Sequence, residues 1–403
     1  MGTHSSDPDR QAPPLQRYCT VKETLMKLHT FSLDDSHTPI AKPDFVQDPQ
    51  KSLVILFGDS QLLNTPERLQ AVCHPFSGLP VVGCSTSGEV FGREIRDHSL
   101  VGAILQFEWT TVRTATASIS DAAESFSVGQ QLAHTLLHPD LAGILIFSDG
   151  LRVNGSELVR GMNALLPDSV IVTGGLAGDG DRFQHTWVLR DHTPQEGLIS
   201  AVGLYGDRVR LGHGSKGGWD FFGPERRVTK SNGNVLFELD GKPALELYKH
   251  YLGDRASGLP ATALLFPLAV RPPGTDGEYV VRTILGVDET QQSMTFAGDI
   301  PQDSITQLMQ ANFDRLIEGA SEAALLTKQN GTSCSTLALA ITCVGRRLIL
   351  GERAEEEVEA TLDVLPSGTQ QIGFYSYGEL SPHVKGPCTL HNQTMTLTTI
   401  SEH

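Results

Sequence analysis

Three short stretches combine glycines with an acidic residue, a composition that suits a ligand-binding turn. They are residues 83–90 (Gly-Cys-Ser-Thr-Ser-Gly-Glu-Val), 174–179 (Gly-Gly-Leu-Ala-Gly-Asp) and 373–380 (Gly-Phe-Tyr-Ser-Tyr-Gly-Glu-Leu). Glycine lets a ligand or another backbone come close, and the free N–H groups of such a turn can hold an anion. Each stretch follows an apolar or β-branched run, which predicts a turn at the end of a strand. One copy could simply be a tight bend, but three copies predict turns that line a shared cavity.

The charged groups near these turns suit a pocket for a small polar ligand. Glu89 and Glu379 lie at equivalent strand ends and could bind an amine, while Arg282 or Arg346 could bind a carboxylate. A structural ion pair between these same groups is the alternative. The other candidate contacts lie in the turns themselves: Gly83, Cys84, Ser85, Gly88, Tyr375 and Tyr377.

Catalytic motifs are incomplete in this sequence. Ser85 does not fit the G-x-S-x-G nucleophile motif, because the second glycine follows it by three positions instead of two. Residues 174–180 lack the Lys-Ser/Thr of a phosphate-binding loop. Cys84 follows a strand, where a small cysteine usually serves packing. We therefore expect a binding protein and not an enzyme.

The charge balance limits the partners. The 403 residues include 31 Lys plus Arg and 47 Asp plus Glu, a formal net charge of −16. Nucleic acid and anionic membrane surfaces would repel such a chain, and no apolar run approaches the roughly 20 residues of a membrane span. The N-terminus shows no secretory signal, so we expect a cytoplasmic protein. The six cysteines form no Cys-x-x-Cys pair and are expected to be buried thiols.

A repeated spacing predicts an internal duplication. Phe57 and Asp59 end one apolar strand, and Phe147 and Asp149 end another at the same offset. Helix starts follow at the same offset, at Asn64 and Asn154. Paired runs after the glycine turns predict two antiparallel hairpins, which join residues 100–107 to 111–117 and residues 198–205 to 208–212. A helix predicted over residues 121–137 joins the two halves.

The second half changes character near residue 239. A new helix is predicted over residues 240–248, and a long helix is predicted from one apolar stripe: Ile305, Leu308, Met309, Phe313, Leu316 and Ile317. The predicted fold is a mixed α/β (α+β) protein in which duplicated β-α-β-plus-hairpin units form mixed sheets covered by helices. The predicted divisions are a tail and short lead-in element (1–49) and two closely associated domains (50–238 and 239–403).

Several of these motifs together resemble the FIST protein family, with FIST-N and FIST-C regions over about residues 50–385. The motifs are residues 82–89 and 217–230 in the first half, and residues 239–248, 373–379 and 390–397, with Cys343, Arg346 and Arg347, in the second. The resemblance implies a ligand-binding sensory protein of signal transduction. Residues 1–50 show no F-box, so the chain is similar to stand-alone bacterial members. Those members include haem-binding nitric oxide sensors that regulate a histidine kinase or a cyclic-di-GMP enzyme.

The resemblance thus implies haem as a cofactor, which requires an axial ligand. The candidates are His213, before a glycine-rich turn with Trp219; His391, beside Asn392; and His185. The alternative is a sensor of a small polar metabolite, such as an amino acid, without haem.

Overall fold

The computed structural model of the chain describes residues 26–34, 40–190, 192–274, 279–327, 335–383 and 386–403. The predicted tail, part of the lead-in element, Cys19 and Cys334 lie outside these ranges. The other cysteines are free, buried thiols: Cys73, Cys84, Cys343 and Cys388.

The first half of the chain is mostly strand. Its strands are β1 Lys27–Leu33, β2 Ser52–Asp59, β3 Val81–Thr86, β4 Glu89–Phe91, β5 Glu94–Arg96, β6 Leu100–Gln106, β7 Thr111–Ser118, β8 Leu141–Ser148, β9 Ile171–Leu176, β10 Val188–Arg190, β11 Thr193–Gln195, β12 Leu198–Tyr205 and β13 Val209–Lys216. Its helices are α1 Pro66–Cys73, α2 Ser125–Leu136 and α3 Gly155–Asn163.

The second half adds shorter strands and more helix. Its strands are β14 Asp220–Asn232, β15 Val235–Leu239, β16 Lys242–Pro243, β17 Leu268–Arg271, β18 Val280–Arg282, β19 Ile284–Asp288, β20 Ser293–Phe296, β21 Ile305–Gln310, β22 Leu337–Cys343, β23 Gln370–Ser376, β24 Gly378–Pro382, β25 Cys388–His391 and β26 Met395–Glu402. Its helices are α4 Ala244–Leu252, α5 Phe313–Leu326, α6 Val344–Leu350 and α7 Ala354–Val364.

Three six-stranded sheets share one strand plan. Their orders are β1-β6-β2-β3-β10-β11 for the first sheet, β7-β12-β8-β9-β24-β25 for the second and β13-β26-β22-β23-β4-β5 for the third. In each sheet two central strands are parallel, and the remaining neighbours are antiparallel. The mixed α/β class predicted from the sequence is confirmed, and the predicted duplication proves to be a triplication.

Equivalent glycines mark the three copies. Gly83, Gly174 and Gly373 each lie in the second of the two parallel strands, where an added Cβ would stand 1.7, 1.8 and 1.8 Å from a carbonyl oxygen of the first. Only glycine therefore permits this close approach of the two strands. The repeated spacing of Phe and Asp residues did not indicate the third copy. There Cys343 occupies the strand-end position that Asp59 and Asp149 hold in the other two copies.

The predicted hairpins are wrong, because each pair of consecutive strands is divided between two sheets. β6 lies in the first sheet and β7 in the second, while β12 lies in the second and β13 in the third. The connection after β6 is held by Glu402, whose carboxylate accepts N–H bonds from Glu108, Trp109 and Thr110 at 2.7, 2.9 and 2.6 Å. These bonds give the backbone N–H groups between β6 and β7 the partners that a hairpin would otherwise have supplied.

Phenylalanine rings fill the space between the three sheets. Phe57, Phe147 and Phe374 come from the first, second and third sheets, with ring centroids 4.6 to 6.4 Å apart. Helices α2 and α3 pack on each other, as do α5 and α7. Within the described ranges, no helix is long and apolar enough to cross a membrane.

An eight-stranded sheet with its own apolar core forms the remaining layer. Its strands follow the order β18-β17-β21-β14-β15-β20-β19, with β16 beside β15, and α4 contributes to its core. The long helix predicted over residues 305–317 is wrong, because β21 pairs with both β14 and β17. The helix α5 begins only after Asn312, whose side chain accepts the Arg315 N–H bond. The predicted boundary between residues 238 and 239 falls inside this sheet.

Candidate functional site

The three glycine-acid turns meet where the sheets exchange strands. The Ser87 N–H donates to the Tyr375 carbonyl at 2.8 Å, and the Tyr375 N–H donates to the Gly88 carbonyl at 2.9 Å. The Gly178 N–H donates to the Ser85 carbonyl at 3.0 Å. We call this region, residues 85–89, 176–180 and 375–379, the turn seam.

Glu89 of the turn seam is fully occupied by neighbouring groups. One carboxylate oxygen accepts the Thr86 hydroxyl, and the other accepts the Ser99 hydroxyl at 2.7 Å and the Ser99 N–H at 3.2 Å. Burial raises the pKa of Glu89 to about 7, against the lowering effect of these hydrogen bonds. This carboxyl group therefore helps to fix the β4–β5 hairpin.

Glu379 repeats the arrangement in the third copy. Its carboxylate accepts the Ser376 hydroxyl at 2.7 Å, the Thr394 hydroxyl at 3.0 Å and the Thr394 N–H at 3.2 Å. Burial raises the pKa of Glu379 to about 8. Two hydroxyl groups and one backbone N–H thus bond to each of Glu89 and Glu379. Val188 occupies the equivalent position in the second copy.

The two candidate arginines differ in their partners. Arg346 is fully buried and forms an ion pair with Glu357 at 2.8 Å, so its charge is neutralised by a group that the sequence prediction did not name. Arg282 is also buried, and it donates to the carbonyl oxygens of Asp299 at 3.1 Å and Leu390 at 3.0 Å. Burial lowers the pKa of Arg282 to about 10. Arg282 thus ties β18 to the edge strand β25.

The remaining candidate side chains of the turn seam also have internal partners. The Tyr375 hydroxyl donates to Glu357 at 2.8 Å, and the Tyr377 hydroxyl donates to Asp179. The Ser85 hydroxyl accepts the Trp187 N–H at 3.0 Å. Cys84 is completely buried, which raises the pKa of its thiol well above the usual range. The structure therefore brings these residues together as a hydrogen-bonded joint between the three copies.

A cavity of about 370 Å³ lies where the second and third sheets meet β18, and Thr394 of its wall bonds to Glu379 of the turn seam. This volume lies near the lower end of the range of small-molecule sites, roughly 300 to 1,000 Å³. The lining residues include His213 and His391, two of the three histidines singled out from the sequence. The remaining lining residues are Ile171, Leu211, Gly212, Gly214, Ser215, Lys216, Gly217, Tyr279, Val281, Leu326, Thr327, Pro382, His383 and Thr394.

A Gly-His-Gly sequence on β13 sets one wall of the cavity. Added Cβ atoms at Gly212 and Gly214 would stand 2.2 and 2.1 Å from carbonyl oxygens at the end of α5. These glycines let the strand pack directly on the helix. Because side chains alternate along a strand, His213 and Ser215 project from the other face.

His213 carries an unsatisfied polar atom. Its Nδ1 is buried and has no hydrogen-bond partner among the described residues, and burial lowers the pKa of the imidazole. A buried polar atom without a partner costs about 1 to 3 kcal/mol. A ligand or water that bonded to Nδ1 would remove this cost.

His391 is held more firmly. Its Nε2 lies 3.0 Å from the Ser381 carbonyl oxygen and 3.0 Å from the Thr389 hydroxyl. Burial, with the ring of His383 at 4.9 Å, lowers the pKa of His391 to about 3. His391 is therefore neutral at pH 7, and its Nε2 proton points to the Ser381 carbonyl.

His185 lies elsewhere. Its Nδ1 contacts Glu196 at 2.8 Å, and two thirds of its side chain is exposed. The neighbouring Trp187 is fully buried and donates to the Asp59 carbonyl at 3.2 Å. Trp219, predicted to face a cofactor beside His213, is buried and donates to the Gln393 carbonyl at 2.8 Å.

The sequence prediction missed several residues of the cavity. Ser215 shares the face of β13 that carries His213, so the alternation of the strand could have indicated it, whereas Lys216 belongs to the other face and is found only in the assembled cavity. His383 and Tyr279 come from other elements, and nothing in their local sequence connects them with His213. Within the described ranges, no cluster of three or more His, Cys, Asp or Glu side chains could hold a metal ion.

Three repeated strand-helix-strand copies are joined by a hydrogen-bonded seam, and a cavity of small-molecule size lies between two of their sheets and β18. The chain matches the FIST N domain over residues 52–242 and the FIST C domain over residues 244–382, and it belongs to the FIST family. FIST domains are sensory domains of signal transduction that bind small ligands, and they are not catalytic.

Two further similarities are weaker. The uncharacterised protein MJ1623 of Methanocaldococcus jannaschii is 23% identical over 343 residues, which cover 74% of this chain and 64% of that protein. The chain thus spans less than two thirds of that relative's length. A crystal structure of cyanuric acid hydrolase from A. caulinodans aligns with 73% of this chain and 99% of its own, at 11% identity. Its TM-score of 0.17 is too low to carry an argument.

Proposed function

We propose that this chain is a sensor of a small polar metabolite, which it binds in the cavity beside His213. The buried, unpartnered Nδ1 of His213 carries this proposal, because the wall of that cavity has a hydrogen-bonding group with nothing to bond. The turn seam offers no comparable group among the residues described above.

The position of the cavity suits signalling. Its walls come from the third sheet at β13, the second sheet at β24 and β25, and the eight-stranded sheet at β18. A bound ligand would contact these three sheets at once. Ligand binding would therefore favour one arrangement of the three over others, and a partner protein could detect that change.

The test is a thermal-shift screen of the full chain against amino acids, organic acids and related metabolites. A ligand at 100 times its Kd stabilises the native state by about 2.7 kcal/mol, so a specific ligand should raise Tm clearly. The His213→Leu variant should lose the shift, and His185→Leu should keep it because His185 lies outside the cavity. A shift that survives His213→Leu would place the binding elsewhere.

A second candidate is a haem-binding nitric oxide sensor that regulates a histidine kinase or a cyclic-di-GMP enzyme. One observation favours it: two of the three candidate axial ligands, His213 and His391, line the same cavity. The imidazole donors suit iron, but a volume of about 370 Å³ lies near the lower end of the range of small-molecule sites and suits a planar macrocycle poorly. Haem, when bound, would offer an iron position for nitric oxide.

The spectrum of the protein after haem reconstitution distinguishes the two candidates. The haem proposal requires a stoichiometric Soret band that shifts with nitric oxide and changes in His213→Leu or His391→Leu. A folded protein without such a band excludes haem. The metabolite screen would be unaffected by that result.

A further inference from the structure

We infer that the ligand of the cavity is a small monocarboxylate with an apolar body. This inference rests on the proposed function, because it names the chemical class of the ligand in that same cavity. It follows from the charge of the lining, the free hydrogen-bond capacity of two side chains and the position of the apolar residues.

The charge of the lining is unusual for this chain. The chain as a whole has an excess of acidic residues and a formal net charge of −16. Among the described residues that line the cavity, one is a lysine, three are histidines and none is acidic. A cationic ligand would have no counter-charge there, whereas an anion would have Lys216 at the rim.

Two neighbouring side chains can serve a carboxylate. The Ser215 hydroxyl oxygen accepts a hydrogen bond from Thr396 at 3.0 Å, which leaves the proton of Ser215 free to donate. The Nδ1 of His213 has no partner. A carboxylate accepts through both oxygens, so it can bond to Ser215 and His213 together, with Lys216 supplying the opposite charge.

Five large side chains give the rest of the wall most of its apolar surface, beside the polar Thr327, Thr394, His383 and His391. The five are Ile171, Leu211, Val281, Leu326 and Tyr279. A ligand that is charged at one end and apolar at the other would match this division. The single lysine also matches one negative charge better than two, since Arg282 nearby is already committed to carbonyl oxygens.

Binding should bring a proton with it. Burial lowers the pKa of His213 in the free protein, and an adjacent carboxylate would raise it again. The other titratable groups around the cavity are Lys216 on the same strand and His383, His391 and Tyr279 on other elements. Glu379 lies behind Thr394. His391 stays neutral because burial, with the neighbouring His383, lowers its pKa to about 3.

Matched pairs of acid and amide test the inference. Benzoate and benzamide, and 4-methylpentanoate and its amide, would be titrated into the full chain by calorimetry at pH 7 in two buffers of different ionisation enthalpy. Phenyl phosphate would be a third probe. We expect the carboxylates to bind at least tenfold more tightly than their amides, with a heat that depends on the buffer because His213 takes up a proton.

Variants locate the effect. Lys216→Met should weaken carboxylate binding at least tenfold, and Ser215→Ala should weaken it less. Lys230→Met removes the same charge from β14, outside the cavity lining, and should leave the affinity unchanged. Equal losses in the two lysine variants would overturn the inference.

The outcomes separate the inference from the proposed function. If neutral or cationic metabolites shift Tm through His213 and the carboxylates do not, the inference fails and the proposed function stands. Tighter binding of phenyl phosphate than of benzoate also overturns the monocarboxylate class. If no compound in either experiment binds in a way that depends on His213, both fail.

Discussion

The turn seam and the cavity use polar groups in opposite ways. In the turn seam, Glu89, Glu379 and Tyr375 are buried and each has partners inside the protein. In the cavity, the Nδ1 of His213 is buried without one. The repeated motifs therefore mark the joint between the copies, and the candidate binding site lies where a copy meets the eight-stranded sheet. Substitutions of polar by apolar side chains should consequently have opposite effects in the two places.

The largest effect is expected beside the turn seam, at the Arg346–Glu357 ion pair. Both side chains are fully buried, 2.8 Å apart, and Glu357 also accepts the Tyr375 hydroxyl. Arg346→Met would leave a buried carboxylate without its counter-charge. We expect the free energy of unfolding to fall by about 3 to 5 kcal/mol, measured by urea denaturation.

Arg353 is the matched control for this change. It forms comparable bonds to Glu356 and Asp314, but on the surface. Arg353→Met should give an unfolding curve close to that of the original protein. A small loss for Arg346→Met would show that the buried pair is not part of the stabilising joint.

The next effect concerns pH. Glu379 has a pKa of about 8 in the folded protein, so the folded state holds its proton more tightly than the unfolded state does. Stability should therefore fall as pH rises from about 4.5 to about 8. Glu379→Gln can keep the bonds to Ser376 and Thr394 without titrating, and should be more stable at pH 8 by roughly 1 to 3 kcal/mol.

Chemical denaturation at pH 5, 6, 7 and 8 measures this dependence. The curve of the original protein should decline over that interval, and the decline should be shallower in Glu379→Gln. Part of it should persist, because Glu89, with a pKa of about 7, contributes in the same direction. Parallel curves for the two proteins would refute the role of Glu379.

A smaller change in the free energy of unfolding, of opposite sign, is expected for a substitution in the cavity. His213→Leu removes a buried polar atom that has no partner, so the ligand-free protein should gain about 1 kcal/mol of stability. The same change should abolish ligand binding. The measurement is Tm with and without ligand, and a loss of stability in the free protein would contradict the contrast between the two regions.

The smallest effect should be seen with the thiol of Cys84, which directly precedes the turn seam. Burial raises the pKa of Cys84 far above neutral pH, so the thiol should not react with a disulfide reagent in the folded protein. Absorbance after addition of the reagent, in a variant with Ser at Cys19 and Cys334, should stay flat until denaturant is added. Rapid reaction that is lost when Cys84→Ser is added would mean that the chain beside the turn seam opens.

Much of the local structure could be predicted from the sequence. The strand that ends at Asp59 and the helix start at Asn154 follow from nearby residues, and the structure has both. The turn predicted from Gly83 onward begins only at Ser87, because β3 continues to Thr86. Residues 121–137 are helical over Ala122–Glu124 and Ser125–Leu136. These features depend on capping, alternation and glycine, which operate over a few residues.

The pairing of strands could not be predicted in the same way. Residues 100–106 and 111–118 have the pattern and spacing of a hairpin, yet their partners lie in different sheets. The connection between them is held by Glu402, almost three hundred positions away, which no local pattern indicates. The cavity could not be predicted for the same reason, because His213 and His383 come together only once the sheets are assembled.

The position of β26 has a consequence for how the chain folds. This last strand pairs with β13 on one side and β22 on the other, so the third sheet cannot close until residues 395–402 are in place. Its contacts join distant parts of the sequence, and such contacts slow folding. During synthesis, β13 would wait without a partner while almost half of the chain is made. Exposed strand edges on a nascent chain favour aggregation, so this interval is the step of folding at which the chain is most exposed to it.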